Sequence, residues 1–558
     1  MKKDFILISL FVAALSFAFT SCSDTEPTIA QEVETESTQS SDDDDDSDDT
    51  ETEEEEVDDY DGVTQAVTID ITQTYQTIKG FGGADAWNCE YVGKYWTSGR
   101  ERISQYLFSQ KIASGNPEGI GLSMWRTNLG GGTAEQGDDS DIDDKTRRAS
   151  SYLNDDGSYD WTRCEGQRYF LDQALAYEVP SIVLFSNTPP VQYTLNGKGY
   201  SSSGSAANLQ EDKYDDFADY MTTVAAKYIE WGYPVTHISP VNEPQYDWDD
   251  SDQEGSGWTN SEVTKIITAL DASLTEAGLT DVTILPGEAG DWEYMYGTKS
   301  DADRSNVIEE MFGGSTDNYI GDLAHVDNLV CGHSYWTDTS WSDLQSVRTK
   351  LASAAISYGV EVWQSEWSML GDGYSTSEFI GYDDASEMDI ALYMTKVIHN
   401  DLTVGGVSSW CFWTSLERPR WSQLNRFLLV ALTPSDGLYG DMENEGDYEA
   451  TPTLWALGNY SLFIRPGYKR IGLTVDESRT FFGSAYISDD GGTVVAVYSN
   501  LTEDEIRLDE THTGWTDEPS AMVSYTTSSS KNLKKSTLTV GDYVYLEPES
   551  VTTIVYSL

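Results

Sequence analysis

From residue 63 onward, two kinds of hydrophobic pattern follow one another along the chain. Short runs of branched and aromatic residues end in polar or aromatic positions. Each run leads through a loop into a stretch whose apolar residues recur three and four apart. The first kind predicts buried strands and the second amphipathic helices. Strands are expected at 121–127, 181–186, 237–241, 282–285, 329–333, 360–364 and 407–413, with a first one near 78–83. Helices are expected at 164–177, 213–231, 262–277, 344–358 and 385–401. Strands alternating with helices make parallel sheets through crossover connections. Eight such units favour a (β/α)8 TIM barrel, an α/β fold, over a doubly wound sheet. No glycine-rich phosphate loop follows any of these strands, so a nucleotide-binding fold has no support.

Past residue 465 the helical period stops. Alternating runs at 494–499, 521–526, 536–540, 543–546 and 552–556 predict an antiparallel β-sandwich. The strand-like stretch 65–75 precedes the barrel and is expected to join that sandwich. The expected organisation is therefore a first strand (63–77), a barrel (78–464) and a side domain (465–558) that is discontinuous in sequence.

The N-terminus carries a different pattern. Lys2 and Lys3 precede an apolar stretch over 5–19, which ends in Thr20-Ser21-Cys22. The stretch is too short and wrongly flanked for a spanning helix and reads as a signal peptide over 1–21. The cysteine at the junction resembles a bacterial lipoprotein lipobox. That resemblance implies cleavage before Cys22 and acylation of its thiol, with an ordinary secretory signal as the alternative; the acidic residues soon after Cys22 suit outward display from an outer membrane. Residues 22–62, which include Ser41 to Asp49 and Glu53 to Glu56, have almost nothing apolar and repel themselves, as an extended linker does.

Across 558 residues, 96 acidic side chains face 33 basic ones, for a net charge of −63. Nucleic acid and anionic membrane surfaces are excluded as partners by that balance, which leaves a lipid anchor as the expected membrane contact. Beyond Cys22, the cysteines Cys89, Cys164, Cys331 and Cys411 have neither zinc-ligand spacing nor a disulfide framework. Buried thiols are expected, with one disulfide between distant segments left open.

Barrel active sites form where strands end at the C-terminal face. The fourth strand leads into Ser239-Pro240-Val241-Asn242-Glu243-Pro244, and the seventh closes on Gln364-Ser365-Glu366-Trp367. Two carboxylates facing each other across a barrel mouth are what glycoside hydrolysis requires. One protonates the leaving oxygen, and the other attacks the anomeric carbon when the two are about 5–5.5 Å apart. Glu243 is the candidate acid/base and Glu366 the candidate nucleophile. Asn242 suits a hydrogen bond to the sugar 2-hydroxyl. This chemistry needs no metal and no organic cofactor.

These motifs resemble the retaining (β/α)8 glycosidases. Gly80-Phe81-Gly82-Gly83-Ala84, the segment Leu457 to Gly467 and the run Glu549-Ser550-Val551-Thr552-Thr553 narrow the resemblance to glycoside hydrolase family 30. The resemblance implies that Arg126 supports the nucleophile and that Tyr335, or else His333, hydrogen-bonds it. Among Trp87, Trp125, Trp292, Trp336, Trp367, Trp410 and Trp413, sugar stacking and core packing are both open, and Trp87, Trp410 and Trp413 are favoured for the site. Asn187, in Ser186-Asn187-Thr188-Pro189-Pro190, stands where glucosylceramidase-like members carry a tryptophan. The stretch Gln245-Tyr246-Asp247-Trp248, with Gln253-Glu254-Gly255, resembles the endo-β-1,6-galactanase branch and implicates Asp247, Trp248 and Glu254 in specificity. The expected substrate is β-1,6-galactan of arabinogalactan side chains, cut internally by a monomeric enzyme. β-1,6-Glucan, xylan or another β-glycan is the alternative, and a non-catalytic glycan-binding protein a further one.

Overall fold

The computed structural model describes residues 60–558, apart from Ser114, Ser203, Ser205, Asp372 and residues 420–425. The signal segment, Cys22 and the linker up to residue 59 lie outside the described residues.

Nine strand segments form one parallel sheet. Their order is Thr283–Ile284, Val235–Ser239, Ser181–Phe185, Met124–Asn128, Gly80–Ala84, Ser409–Phe412, Glu361–Trp367, Leu329–His333 and Gly287–Ala289. The first and last in that order are successive pieces of a single passage of chain, interrupted at Leu285-Pro286. Leu285 still donates to Ile238 on one side, and Cys331 donates to the Pro286 carbonyl on the other. Proline has no N–H for the ladder, which is why the passage breaks there. The sheet is thereby nearly closed on itself, a mixed α/β architecture.

Helices cover it, and their ends are written in the sequence. Asn260–Ala277 begins with a capping box between Thr259 and Glu262 and stops at Gly278, whose φ of 69° suits glycine. Trp341–Tyr358 starts on Ser340 and stops at Gly359, φ 67°. Glu387–Thr403 starts with a Ser386–Asp389 capping box and is buried along nearly its whole length. It lies between the parallel sheet and a second sheet, where Ser499 Oγ donates to Thr395 Oγ1 at 2.9 Å.

That second sheet also has nine strands, in the order Lys531–Leu538, Ala521–Ser528, Ser550–Ser557, Thr493–Asn500, Phe481–Ile487, Lys469–Thr474, Val63–Thr77, Ile506–Thr513 and Val544–Leu546. All nine are linked in one hydrogen-bonded series. It has its own apolar core, including Val67, Ile69, Ile471, Phe481, Tyr498, Leu508 and Ile554. Val63–Thr77 pairs in parallel with Ile506–Thr513 and antiparallel with Lys469–Thr474. Asn459 joins the two sheets through the helix Pro452–Ser461: its amide donates to the Tyr525 carbonyl, and Thr553 Oγ1 donates to its backbone carbonyl. The four cysteines are free and buried. Among the described residues, no helix is long and apolar enough to cross a membrane.

Candidate active site

At the C-terminal ends of the parallel strands, five ionisable side chains meet in a buried cluster. Arg126 comes from Met124–Asn128, His333 from Leu329–His333, Glu366 from Glu361–Trp367 and Glu288 from Gly287–Ala289. Glu243 sits in the loop four residues past Val235–Ser239. Its backbone has φ 42°, a conformation side chains seldom adopt and one that functional sites often hold. Two bonds fix it there: its N–H donates to the Glu288 carbonyl at 2.9 Å, and Trp248 Nε1 donates to its own carbonyl at 3.1 Å.

Arg126 and His333 organise the three carboxylates. Arg126 Nη1 donates to Glu366 at 2.5 Å, and Nη2 donates to Asn242 Oδ1 at 3.0 Å and lies 3.5 Å from Glu288. His333 lies between two acids, with Nδ1 3.0 Å from Glu243 and Nε2 2.8 Å from Glu288. Tyr335 donates its hydroxyl to Glu366 at 3.1 Å. Ser239 and Ser365 each donate to Glu288 at 2.6 Å.

The proton balance follows from this geometry. Burial works against a charged imidazole, yet Glu366, Glu243 and Glu288 outweigh it and raise His333 to about 10. Both ring nitrogens then donate. Burial alone would lift Glu288, but Arg126, His333 and Ser239 reverse the sign and hold it well below the usual carboxylate range. For Glu366, burial first and then Glu243 and Glu288 raise the proton affinity, against His333 and Arg126. Burial and the Glu366 charge push the Tyr335 phenol far up, so it remains a donor. One donor atom each from Glu243, His333 and Glu366 lies within 4.8 Å of the others, a spacing that metals also use.

A cleft of about 290 Å³ opens over the cluster, and Glu243, Glu366, Asn242, Asn187, Tyr335, Trp248 and Trp413 all line it. Other expected contacts are not on its walls. Arg126 and His333 are buried beneath the carboxylates and touch those rather than the cleft. Trp87 stands behind Trp413, its ring edge-on at 5.1 Å, with Arg147 stacked over it at 4.0 Å. Trp410 is wholly buried in the core and donates Nε1 to Asp401 at 2.9 Å. Residues alternate across a strand, and Trp410 falls on the face packed against the helix Glu387–Thr403. Glu254 is buried too, accepting from Gly131 N and Thr133 Oγ1, and burial pushes its carboxyl up to about 7. It joins two loops. Asp247 pairs with Arg304 at 2.7 Å, outside the cleft.

One participant escaped the sequence pattern. Glu288 follows a proline break in a three-residue strand, so periodicity cannot mark it; a lone acid directly after a barrel strand was the available signal. Trp336, open in sequence between sugar stacking and core packing and not among the favoured tryptophans, lines the cleft with 53% of its surface exposed.

A parallel α/β sheet with two acids facing each other at its mouth defines the class of glycoside hydrolases. Residues 64–423 match the family model described as O-Glycosyl hydrolase family 30, and the chain belongs to that family. An endo-beta-1,6-galactanase of Hypocrea rufa is 24% identical over 419 residues, covering 72% of this chain and 75% of that protein. The glucuronoxylanase XynC of Bacillus subtilis is 24% identical over 366 residues, covering 65% and 70%. Among solved structures, a conserved exported protein from Bacteroides fragilis matches with TM-score 0.81 and 29% identity, over 88% of this chain and all of that one.

Proposed function

We propose that this glycoside hydrolase cleaves β-1,6-linked galactan internally and with retention, on a (β/α)8 barrel flanked by a β-sandwich. The carrying observation is the pair Glu243 and Glu366, with an oxygen of each within 4.8 Å of the other and of His333. That spacing supports a retaining pair, whose carboxyl groups stand about 5–5.5 Å apart, over the wider separation of an inverting site.

Glu366 is the nucleophile, because Arg126 and Tyr335 both favour its anion. Glu243 carries the proton and receives only the His333 Nδ1–H. With Glu243 protonated, the cations Arg126 and His333 balance the anions Glu288 and Glu366, and the buried cluster is neutral. Attack by Glu366 on the anomeric carbon expels the leaving oxygen, which takes the Glu243 proton. Glu243 then deprotonates the water that releases the sugar. Asn242 is held by Arg126 so that its amide N–H faces the cleft for a sugar hydroxyl. Asn187 lines the cleft with a buried amide nitrogen that has no partner, the state of a donor awaiting one.

The galactan assignment rests on the sequence after Glu243 and on the likeness to the Hypocrea rufa enzyme. Export with a lipid anchor on Cys22, outward display from an outer membrane, and division into a signal peptide (1–21), linker (22–62), first strand (63–77), barrel (78–464) and side domain (465–558) complete the reading.

Incubation with β-1,6-galactan, β-1,6-glucan and xylan tests it. Galactan should yield new reducing ends whose first anomer is β, and Glu366→Ala should abolish them. An α-anomer first, or undiminished activity in that variant, would defeat the mechanism. Preference for glucan or xylan would defeat the substrate assignment alone.

A further inference from the structure

Outside the acid–base cluster, a second wholly buried charge pair stands among the helices behind it. Arg348 of the helix Trp341–Tyr358 donates Nε to Asp401 of the helix Glu387–Thr403 at 2.8 Å. On its other oxygen Asp401 accepts from Ser334 Oγ at 2.8 Å and from Trp410 Nε1 at 2.9 Å. Ser334 lies between His333 and Tyr335, which touch the carboxylates of the site. We propose that Asp401, held by Arg348, is a positioning residue that acts through Ser334 to aim His333 and Tyr335 at the three carboxylates. This rests on the roles given above to Glu243 and Glu366.

Three observations carry it. The first is where the bonds of the pair lead. Arg348 Nη1 donates to the Thr337 carbonyl and, at 3.1 Å, to Thr337 Oγ1, which in turn donates to the Ser334 carbonyl at 3.3 Å. Residues 334–337 belong to no strand or helix, so side-chain bonds at both ends of the segment take the place of a backbone ladder. The second is a junction at one hydroxyl. Ser334 Oγ also accepts from Trp292 Nε1 at 2.8 Å, and Trp292 stands four residues past Glu288. The strand ends that bring His333 and Glu288 together are thereby tied a second time, behind the site. The third is the chemistry of Asp401 itself. Arg348, Ser334 and Trp410 all donate to it, so a carboxylate suits the place, whereas an amide would set N–H against N–H. A buried ion pair adds little net stability over apolar packing, and fixing one arrangement of the chain is what it supplies here.

The test uses the full-length enzyme and β-1,6-galactan, or β-1,6-glucan or xylan if the parent cleaves that instead. Ser334→Ala cuts the link and leaves the Arg348–Asp401 pair in place. It should lower kcat about 10- to 100-fold, the effect of a misplacement near ~1 Å, with KM within about twofold of the parent. The acidic limb of kcat against pH should move up, because a displaced Tyr335 favours the Glu366 anion less. Partial unfolding would scale the whole curve and move neither limb. In a Tyr335→Phe background the same substitution should lower kcat several-fold less than it does in the parent, since part of its route is already gone. Equal losses in both backgrounds, an unmoved limb or a parent-like kcat would overturn the proposal.

A second measurement needs no substrate. With 15N-labelled histidine, the His333 ring N–H signals, assigned by their loss in His333→Gln, should exchange with water faster in Ser334→Ala than in the parent. Unchanged exchange would also overturn it. If the parent cleaves none of the three glycans, the proposed function falls, and these ring signals decide the positioning role by themselves.

Discussion

Replacing Glu288 with glutamine tests the electrostatic account of the cluster most directly. The side chain keeps its shape, and Ser239, Ser365 and the His333 Nε2–H can still bond to it. What is lost is one negative charge. The path from Glu288 through the imidazole to Glu243 consists of hydrogen bonds of 2.8 and 3.0 Å and the ring between them. That puts the two acids roughly 8 Å apart, and at an effective dielectric near ~20 their repulsion is about 2 kcal/mol. Glu288 is linked just as closely to Glu366 through Arg126. Removing its charge leaves a net positive cluster, which favours ionisation of both catalytic acids. The bell-shaped dependence of kcat/KM on pH should therefore move as a whole to lower pH, by about one to two units. Rates at a series of buffers from pH 3 to ~9 on one soluble substrate would show it. A bell that stays put, or a basic limb that moves up, would refute the charge balance. Thermal melts at neutral pH provide the companion check. Glu288 is held below its usual range, so its contribution is present above about pH 4.5 and fades in strong acid. The variant should melt below the parent at pH 7, with the gap narrowing as the pH falls.

Other consequences are measurable. Tyr335→Phe removes a donor to a buried carboxylate and should lower kcat/KM about 10- to 100-fold, with folding intact by circular dichroism. His333 is raised to about 10 in the folded protein, so its contribution is complete below about pH 6.5 and disappears as the pH rises toward 10. Denaturant titrations should show stability declining through that window, and a variant with a neutral residue at 333 should lose the decline. Asn187→Ala should raise KM or lower kcat on the preferred glycan about tenfold, with little change in melting temperature, because its amide nitrogen has no partner within the protein to lose.

Much of this was readable in the chain. The strands 181–186 and 329–333 agree with the structure to within a residue, because continuous branched runs bounded by loops leave little choice. Glu243 and Glu366 were marked by position at strand ends, and Arg126 and Tyr335 reach Glu366 as the family resemblance implied. Other features depend on contacts that period and spacing do not encode. Trp410 and Trp413 stand three residues apart, yet one belongs to the core and the other to the cleft. Glu254 looks like a specificity residue in sequence and serves as a strut between loops. Glu288 was invisible because its strand is too short to carry a period. His333 is best understood only beside Glu288, since a single neighbouring acid would not explain an imidazole with both nitrogens engaged.

The strand Val63–Thr77 bears on how this protein is made. It is hydrogen-bonded to Lys469–Thr474 and Ile506–Thr513, both near the far end of the chain. A chain emerging N-terminus first cannot complete that sheet until almost everything else has been made, so its earliest strand waits for its latest partners. Completion of that sheet is thereby deferred to the end of synthesis. Cutting the protein before residue 465 would not liberate a self-sufficient catalytic half. It would leave the first strand with unpaired edges, and such an edge is a template for pairing with another copy of itself.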